Sequence, residues 1–130
     1  MYDKFLIVEE LLKNVEKDGQ IIGYQYGARL PYYRGVVLSL VGEMDLTVDN
    51  EAVSPDQMTV TLHGNTYKLA DLENIITDKW EFGEVGIITV LKPGGLKPGE
   101  HKFKVRQHML ISYVRGGFWG GDQKTLSLAG

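Results

Sequence analysis

Apolar and polar residues alternate along several short segments of this chain. Residues 57–63 place Met, Val and Leu at every second position between Gln, Thr and His, and residues 43–49 repeat the pattern. Successive side chains of a β-strand point to opposite faces of a sheet, so both segments are predicted as strands with one apolar face. Residues 49–51 are predicted as a turn, because Asp and Asn tolerate left-handed backbone geometry.

Longer segments continue the same pattern. Residues 20–30 and 100–114 alternate over more positions, and residues 125–129 predict a short last strand. Two nearly continuous apolar runs, residues 35–41 and 85–91, are rich in β-branched residues. They are predicted as central strands that are buried on both faces.

The connecting segments complete the expected architecture. Residues 92–99 contain two Pro-Gly steps, which suit type II turns and predict a tight hairpin connection. Residues 5–15 fit a helical stripe or a strand, and the all-β surroundings favour the strand. Residues 70–77 predict a short helical segment. We therefore expect an all-β fold, an antiparallel β-sandwich of about eight strands with one short helical segment, in a single domain over residues 1–130.

Composition narrows the function classes. The chain has 130 residues, 16 glycines, no cysteine and a formal net charge of −3. Disulfides, thiolate metal sites and cysteine nucleophiles are therefore excluded. A pI of about 5.6 carries no electrostatic footprint for nucleic acid or an anionic membrane. The first residues do not form a signal peptide and no run approaches the length of a membrane helix, so we expect a cytoplasmic protein without nucleic-acid or membrane partners.

The candidate catalytic residues form no recognisable set. His63, His101 and His108 show no metal-ligand spacing, so no metal or other cofactor is expected in this chain. His63 and His108 could approach each other across strands, but they are interpreted as partly exposed strand residues. No serine lies in a nucleophile turn, and no glycine-rich loop precedes a helix. These absences favour a binding or accessory module over a free-standing enzyme.

Three segments rich in aromatic residues, arginine or glycine are the strongest functional candidates. They are residues 29–35, 78–83 and 115–121, each predicted as a loop, the last one flexible because of its four glycines. Trp, Tyr and Arg are enriched at the energetic centres of interfaces. The alternative is that these aromatics fold back to close the ends of the sandwich, above all at residue 80. We predict a substrate-pocket rim or subunit interface formed by Tyr32, Tyr33, Arg34, Trp80, Phe118 and Trp119.

A set of short motifs in a particular order carries a family resemblance. The motifs are Asp3 to Val8, Arg29 to Gly35 with Leu38 to Leu40, Leu62 to Gly64 with Thr66 and Tyr67, Trp80 to Gly83, Lys92 to Leu96 with Pro98 to His101, and Ile111 to Tyr113. In this order they resemble the small (β) subunit of bacterial C-glycoside deglycosidases nearly end to end. Residues 115–121 match least well.

The resemblance implies a role within a larger enzyme. Such enzymes pair this subunit with a larger α subunit that resembles sugar isomerases and epimerases, a TIM barrel that holds a divalent metal, expected to be manganese. The substrate is a 3-keto C-glycoside of a flavonoid or similar phenol. Enolate formation and elimination, a carbon–carbon lyase reaction, would release the aglycone. The resemblance places the base and metal ligands in the α subunit and no catalytic residue in this chain, which alone is expected to be inactive.

Two other readings stay open from the residues alone. A lectin-like sandwich acting by itself would use Trp80 or Trp119 as a platform on which a sugar stacks. An interaction scaffold would contact no substrate. Assembly with a larger subunit distinguishes the resemblance from both, because it predicts a stable hetero-oligomer.

Overall fold

The computed structural model describes residues 6–30, 35–81, 83–110 and 117–128. Eleven strands lie within these ranges, and eight of them have four residues or more. The strands are β1 (Ile7–Lys17), β2 (Gln20–Ala28), β3 (Val36–Val37), β4 (Val41–Val48), β5 (Glu51–Val53), β6 (Met58–Leu62), β7 (Asn65–Lys68), β8 (Lys79–Trp80), β9 (Gly86–Leu91), β10 (Gly99–Met109) and β11 (Phe118–Leu128). Three 3-10 segments, Leu38–Leu40, Pro55–Gln57 and Leu69–Asn74, interrupt them.

The strands form two main antiparallel sheets. One sheet has five strands in the order β1-β2-β9-β6-β7, and the other has four in the order β11-β10-β4-β5. A small third sheet pairs β3 with β8. The predicted all-β antiparallel fold is confirmed, and Leu69–Asn74 is the predicted short helical segment.

The apolar faces of the two main sheets meet in one core. The rings of Tyr24 and Tyr26, from β2, pack edge-on against Phe103, from β10, with centroid distances of 6.1 and 5.3 Å. Burial raises the pKa of Tyr24 to about 12, with a smaller contribution from the charge of Asp49. These contacts join the sheets across the sandwich.

Strict alternation identified strands correctly. In β6 the residues Met58, Val60 and Leu62 are buried, and β4 buries every second residue from Met44 to Val48. Asp49 and Asn50 form the predicted turn between β4 and β5, with φ angles of 52° and 69°. Residues 7–17 form a strand, as the surroundings of that segment indicated.

The apolar run at residues 35–41 is not a central strand, which corrects the prediction. Val36–Val37 is extended, the 3-10 segment Leu38–Leu40 follows it, and β4 begins at Val41. The amides of Leu38 and Ser39 donate to the carbonyls of Asp78 and Ile75 outside any main sheet. Leu40 is 40% exposed. Apolar composition alone did not distinguish this crossing segment from a strand.

Residues 92–99 also differ from the prediction. The amide of Gly95 donates to the carbonyl of Lys92 over 2.7 Å, and Gly94 has φ of 84°, so a turn forms at the first Pro-Gly step. However, β9 belongs to the five-stranded sheet and β10 to the four-stranded sheet. The segment therefore carries the chain from one sheet to the other and is not a hairpin.

The last strand begins earlier than predicted. β11 starts at Phe118 and pairs with β10 without a register shift, from Met109 opposite Phe118 to Gly99 opposite Leu128. Residues 118–121, predicted as a flexible loop, are therefore part of a sheet. The edge position tolerates glycine here, because only one neighbouring strand has to be paired.

Candidate functional site

One end of the sandwich collects the predicted functional segments. We call it the loop end: β2, β6 and β10 finish there, and β4, β9 and β11 begin there. The opposite, turn end carries the turns at residues 18–19 and 49–50 and the connection at residues 92–99. Residues 31–34, 82 and 111–116 are outside the described residues, so the predicted site residues Tyr32, Tyr33 and Arg34 are not placed.

A cluster of four titratable side chains lies at the loop end. His63 opens the two-residue turn between β6 and β7 with a positive φ of 52°. Its Nδ1 lies 2.9 Å from Oδ1 of Asp78, and its Nε2 lies 2.6 Å from Oε2 of Glu84. The hydroxyl of Tyr67 donates to Oδ2 of Asp78 over 2.8 Å. The imidazole thus bridges two carboxylates from the segment that surrounds β8.

The charges in this cluster reinforce one another. The hydrogen bond to Asp78 raises the pKa of His63, and the Glu84 carboxylate raises it further. The hydroxyl of Tyr67 is the largest cause that lowers the pKa of Asp78. Both ring nitrogens of His63 already face carboxylates, so the cluster is arranged to hold a charged imidazolium and to join two loops.

Trp80 is part of the core and does not form a surface rim in this chain. Its side chain is fully buried, and its Nε1 donates to the carbonyl of Glu84 over 2.8 Å. A Cβ at Gly86 would lie 2.8 Å from the indole, so the close approach of the ring requires glycine there. The alternative interpretation, in which this aromatic closes the end of the sandwich, describes its position.

Trp119 is placed differently. It is 41% exposed, and its ring is stacked on His108 with a centroid distance of 4.5 Å and an angle of 3°. The guanidinium carbon of Arg106 lies 4.4 Å from the centre of the indole. An Arg–Trp–His stack therefore stands on the outer face of β10 and β11, where cation–π and aromatic contacts hold the indole in place.

A β-bulge in β4 lies beside this stack. Gln107 is opposite Met44 and Met109 is opposite Val41, so two residues of β4, Gly42 and Glu43, face the single residue between them on β10. The side-chain amide of Gln107 donates to the carbonyls of Gly42 and Glu43 over 3.2 and 3.3 Å. Gln107 is 2% exposed, so a buried polar side chain holds the bulge.

The bulge also depends on the glycine. A Cβ at Gly42 would lie 2.9 Å from the backbone oxygen of His108 and 3.1 Å from its side chain. His108 can therefore sit close against β4 only because residue 42 has no side chain. His63 and His108 lie on different sheets, the first in the β6–β7 turn and the second on β10.

The bulge opens one side of a cleft of about 550 Å³. The 3-10 segment Leu69–Asn74 forms the other side. Buried apolar residues, among them Val41, Met44 and Leu72, line it. We call it the bulge cleft. A cavity of this size and lining suits an apolar group of a small molecule or of another protein chain.

Within residues 6–30, 35–81, 83–110 and 117–128, no group of three or more His, Asp or Glu side chains is placed to hold a metal ion. In that part of the chain, helices long and apolar enough to span a bilayer are also absent.

Comparisons with known proteins cover most of this chain. The family model described as C-glycoside deglycosidase beta subunit matches residues 2–113. This chain belongs to the C-glycoside deglycosidase beta-subunit family. It is 33% identical over 113 residues to the C-glycoside deglycosidase beta subunit of Eubacterium cellulosolvens, covering 86% of this chain and 77% of that protein. It is 29% identical over 115 residues to the 3'-dehydrocarminate deglycosidase beta subunit of a Microbacterium species, with coverages of 88% and 82%.

Family membership confirms the resemblance that the sequence motifs carried. The residues that line the bulge cleft, and Gln107 behind the bulge, fall within residues 2–113, whereas β11 with Trp119 lies beyond them. The bulge was missed from the sequence. One signal for it was present, since Gln107 stands in phase with the buried residues Phe103, Val105 and Met109.

Proposed function

We propose that this chain is the small subunit of a hetero-oligomeric C-glycoside deglycosidase. The complex would cleave the carbon–carbon bond between a 3-keto sugar and a phenolic aglycone of the flavonoid type. The single observation that carries the proposal is the family match over residues 2–113. In this proposal the larger subunit is a TIM barrel, and it supplies the catalytic base and a divalent metal, expected to be manganese.

The proposed reaction follows from the chemistry of the ketone. A carbonyl at sugar C3 acidifies the proton on C2, so a base can remove it to form an enolate. Collapse of the enolate forms the C1–C2 double bond and breaks the C1–aryl bond. A general acid then supplies the proton that the aryl carbon takes up. The products are the free aglycone and an unsaturated keto sugar, and the complex acts as a lyase.

The described residues support an accessory role for this chain. His63 faces carboxylates at both ring nitrogens, and both ring nitrogens of His101 face oxygens, those of Asp49 and of the Lys97 carbonyl. His108 is stacked against Trp119. Each of the three imidazoles is thus engaged in contacts within the chain, as suits groups that hold loops and strands in position.

Activity measured subunit by subunit tests the proposal. A 3-keto C-glycoside is incubated with the purified small subunit, with the purified larger subunit and with both, and aglycone release is followed by chromatography. We expect release from the mixture and none from this chain alone. Release by the larger subunit alone at the full rate would remove any catalytic contribution of this chain, and a mixture that neither assembles nor reacts would contradict the proposal.

A carbohydrate-binding module is the second candidate, and the exposed indole of Trp119 is the observation that favours it. Sugars stack on exposed aromatic rings. The isolated chain would then bind a simple glycoside, and Trp119→Ala would abolish binding in a calorimetric titration. The subunit proposal expects no such binding by the isolated chain.

A further inference from the structure

We infer that the chain docks onto the larger subunit through the bulge cleft and the three exposed residues beside it, Leu40, Leu110 and Trp119. We call these together the docking face. The inference rests on the proposed function, because it takes from it the existence of the larger subunit. It adds the location and the chemistry of the contact.

Among the residues that the structure describes, part of one edge of β4 is not paired with another strand. β5 pairs only with Leu46–Val48 of β4. In the four-stranded sheet, the preceding residues Val41–Asp45 have β10 on one side, and β5 does not extend far enough to cover the other. The bulge cleft opens at this stretch. Partly uncovered strand edges are places where a second chain adds contacts, and an adjacent apolar cleft provides side-chain pockets for it.

Large apolar side chains are exposed beside the bulge cleft. Leu40 and Leu110 are each 40% exposed, and they are neighbours because the amide of Leu110 donates to the carbonyl of Leu40. Leu110 and His108 both line the bulge cleft, and His108 carries Trp119 stacked on its ring. Leu40, Leu110 and Trp119 therefore lie on one side of the molecule, with the imidazole of His108 between Leu110 and Trp119. Large side chains that gather around a pocket in this way are typical of interface anchors.

Acidic side chains surround the bulge cleft. Glu43, Asp45 and Glu73 line its exposed margin. Arg106 lies 3.8 Å from Asp45 and also stacks on Trp119, so its charge is directed to groups within the chain. A complementary partner presents apolar side chains flanked by lysine or arginine. Association should therefore weaken as the salt concentration rises.

Contacts within the chain hold the backbone around the bulge cleft in a defined framework. Gln107 holds both bulge carbonyls, and Gly42 allows His108 to pack against β4. The framework falls within the residues that the family model matches. Bulges are frequent beside functional sites, because they redirect the strand and its side chains. A pre-formed binding surface loses little conformational entropy when a partner binds.

Paired substitutions at the two ends of the sandwich test the inference. Leu110→Asp places a charge on the docking face, and Leu91→Asp places the same charge on a 49% exposed leucine at the turn end. Affinity for the purified larger subunit is measured by calorimetry. We expect Leu110→Asp to weaken binding by at least about tenfold, the loss of one interface anchor, and Leu91→Asp to leave it within about twofold. Circular dichroism and thermal melts check that both variants fold.

A charge-reversal pair keeps the test decisive if Leu110→Asp does not fold. Glu43→Lys with Glu73→Lys reverses two exposed carboxylates at the cleft, and Glu16→Lys with Glu100→Lys makes the same change of net charge at the turn end. The first pair should weaken binding and reduce its salt dependence, whereas the second should do neither.

The outcomes separate this inference from the proposed function. If the unmodified chains do not assemble, the proposed function fails. If they assemble and the docking-face variants bind as tightly as the unmodified chain, or no more weakly than the turn-end variants, the docking face is wrong and the proposed function stands. A homodimer of the isolated chain that Leu110→Asp disrupts would assign the face to a second copy and would also overturn the inference.

Discussion

The two ends of the sandwich each contain a histidine bound to an aspartate, and the two pairs differ in what they join. At the turn end, His101 is largely buried, and its ring nitrogens lie 2.6 Å from Asp49 Oδ2 and 2.6 Å from the carbonyl oxygen of Lys97. Asp49 also accepts the amide of Lys102. At the loop end, the half-exposed His63 joins two carboxylates from the segment around β8. The first pair ties the β4–β5 turn to the backbone around the start of β10, and the second links two loops through side chains.

The turn end and the loop end therefore differ in what their hydrogen bonds contribute to the protein. Backbone amides that donate hydrogen bonds to a carboxylate hold the neighbouring backbone in one geometry. Contacts between exposed side chains contribute less to stability and respond to pH and salt. We therefore expect substitutions at the turn end to act mainly on folding. At the loop end, core residues should act on folding, and surface residues should act on association.

The largest expected effect comes from the indole at the loop end that does not reach the surface. Trp80→Ala should lower the free energy of unfolding by about 3–5 kcal/mol, because it leaves a cavity in the core. Trp119→Ala should cost less than about 1 kcal/mol, since its ring is exposed on an edge strand. Urea denaturation of the two variants measures the difference. Equal losses would show that the loop end does not divide into core and surface in this way.

Gln107 gives the next largest effect. Gln107→Met keeps the length of the side chain but removes the donor from two bulge carbonyls, which should cost about 1–3 kcal/mol. The matched control is Gln123→Met, at an exposed position on the neighbouring strand, with an expected change within about 0.5 kcal/mol. Denaturation midpoints compare the two. An unchanged denaturation midpoint for Gln107→Met would mean that the hydrogen bonds of Gln107 do not stabilise the bulge.

At the turn end, Asp49→Ala removes partners of His101 and of the Lys102 amide. Because the carboxylate is half exposed, we expect a loss of only about 1 kcal/mol. The hydrogen bond from His101 and the Lys102 amide lower the pKa of Asp49. The contribution of this carboxylate is thus present above its unfolded pKa and is lost as the pH falls through the lowered value. Thermal melts at pH 3 and pH 5 should show the variant and the unmodified chain converging in acid.

The smallest effect concerns the charge of His63. Its pKa is raised above 6.5 by Asp78 and Glu84, so its stabilising contribution is full below about pH 6.5 and is lost as the pH rises through the raised value. Asp78→Asn should lower the midpoint of His63 in an NMR titration and leave that of His101 unchanged. A midpoint for His63 that does not move would show that Asp78 is not its main partner.

Strict alternation predicted the strands that hold the core, because burial of one sheet face imposes a period of two. It could not predict residues 35–41, where a run of apolar residues crosses between sheets. It also misplaced the start of β11. The glycines near Trp119 suggested a loop, but pairing with β10 places residues 118–121 in the sheet. The two tryptophans show the same limit: local context left open whether Trp80 lies at a rim or closes the end of the sandwich, and the structure buries Trp80 and leaves Trp119 41% exposed.

The candidate site was predicted in outline and not in detail. The aromatic segments were identified from the sequence, and Trp80 and Trp119 lie near one end of the sandwich. The His63 bridge and the bulge depend on residues that are distant in the chain: residue 63 meets residues 78 and 84, and residue 107 meets residues 42 and 43. Such pairs become visible only when the register between strands is known.

The unequal burial of the two indoles provides a built-in optical probe. The chain has two tryptophans, so each single Trp→Phe variant leaves one indole as the emitter when tryptophan is excited selectively. Light emitted from residue 80 reports on the integrity of the interior, whereas light emitted from residue 119 reports on water and on added quenchers at the surface. A dissolved quencher such as acrylamide should therefore dim the second emitter far more than the first, and a bound macromolecule that covers the second should protect it.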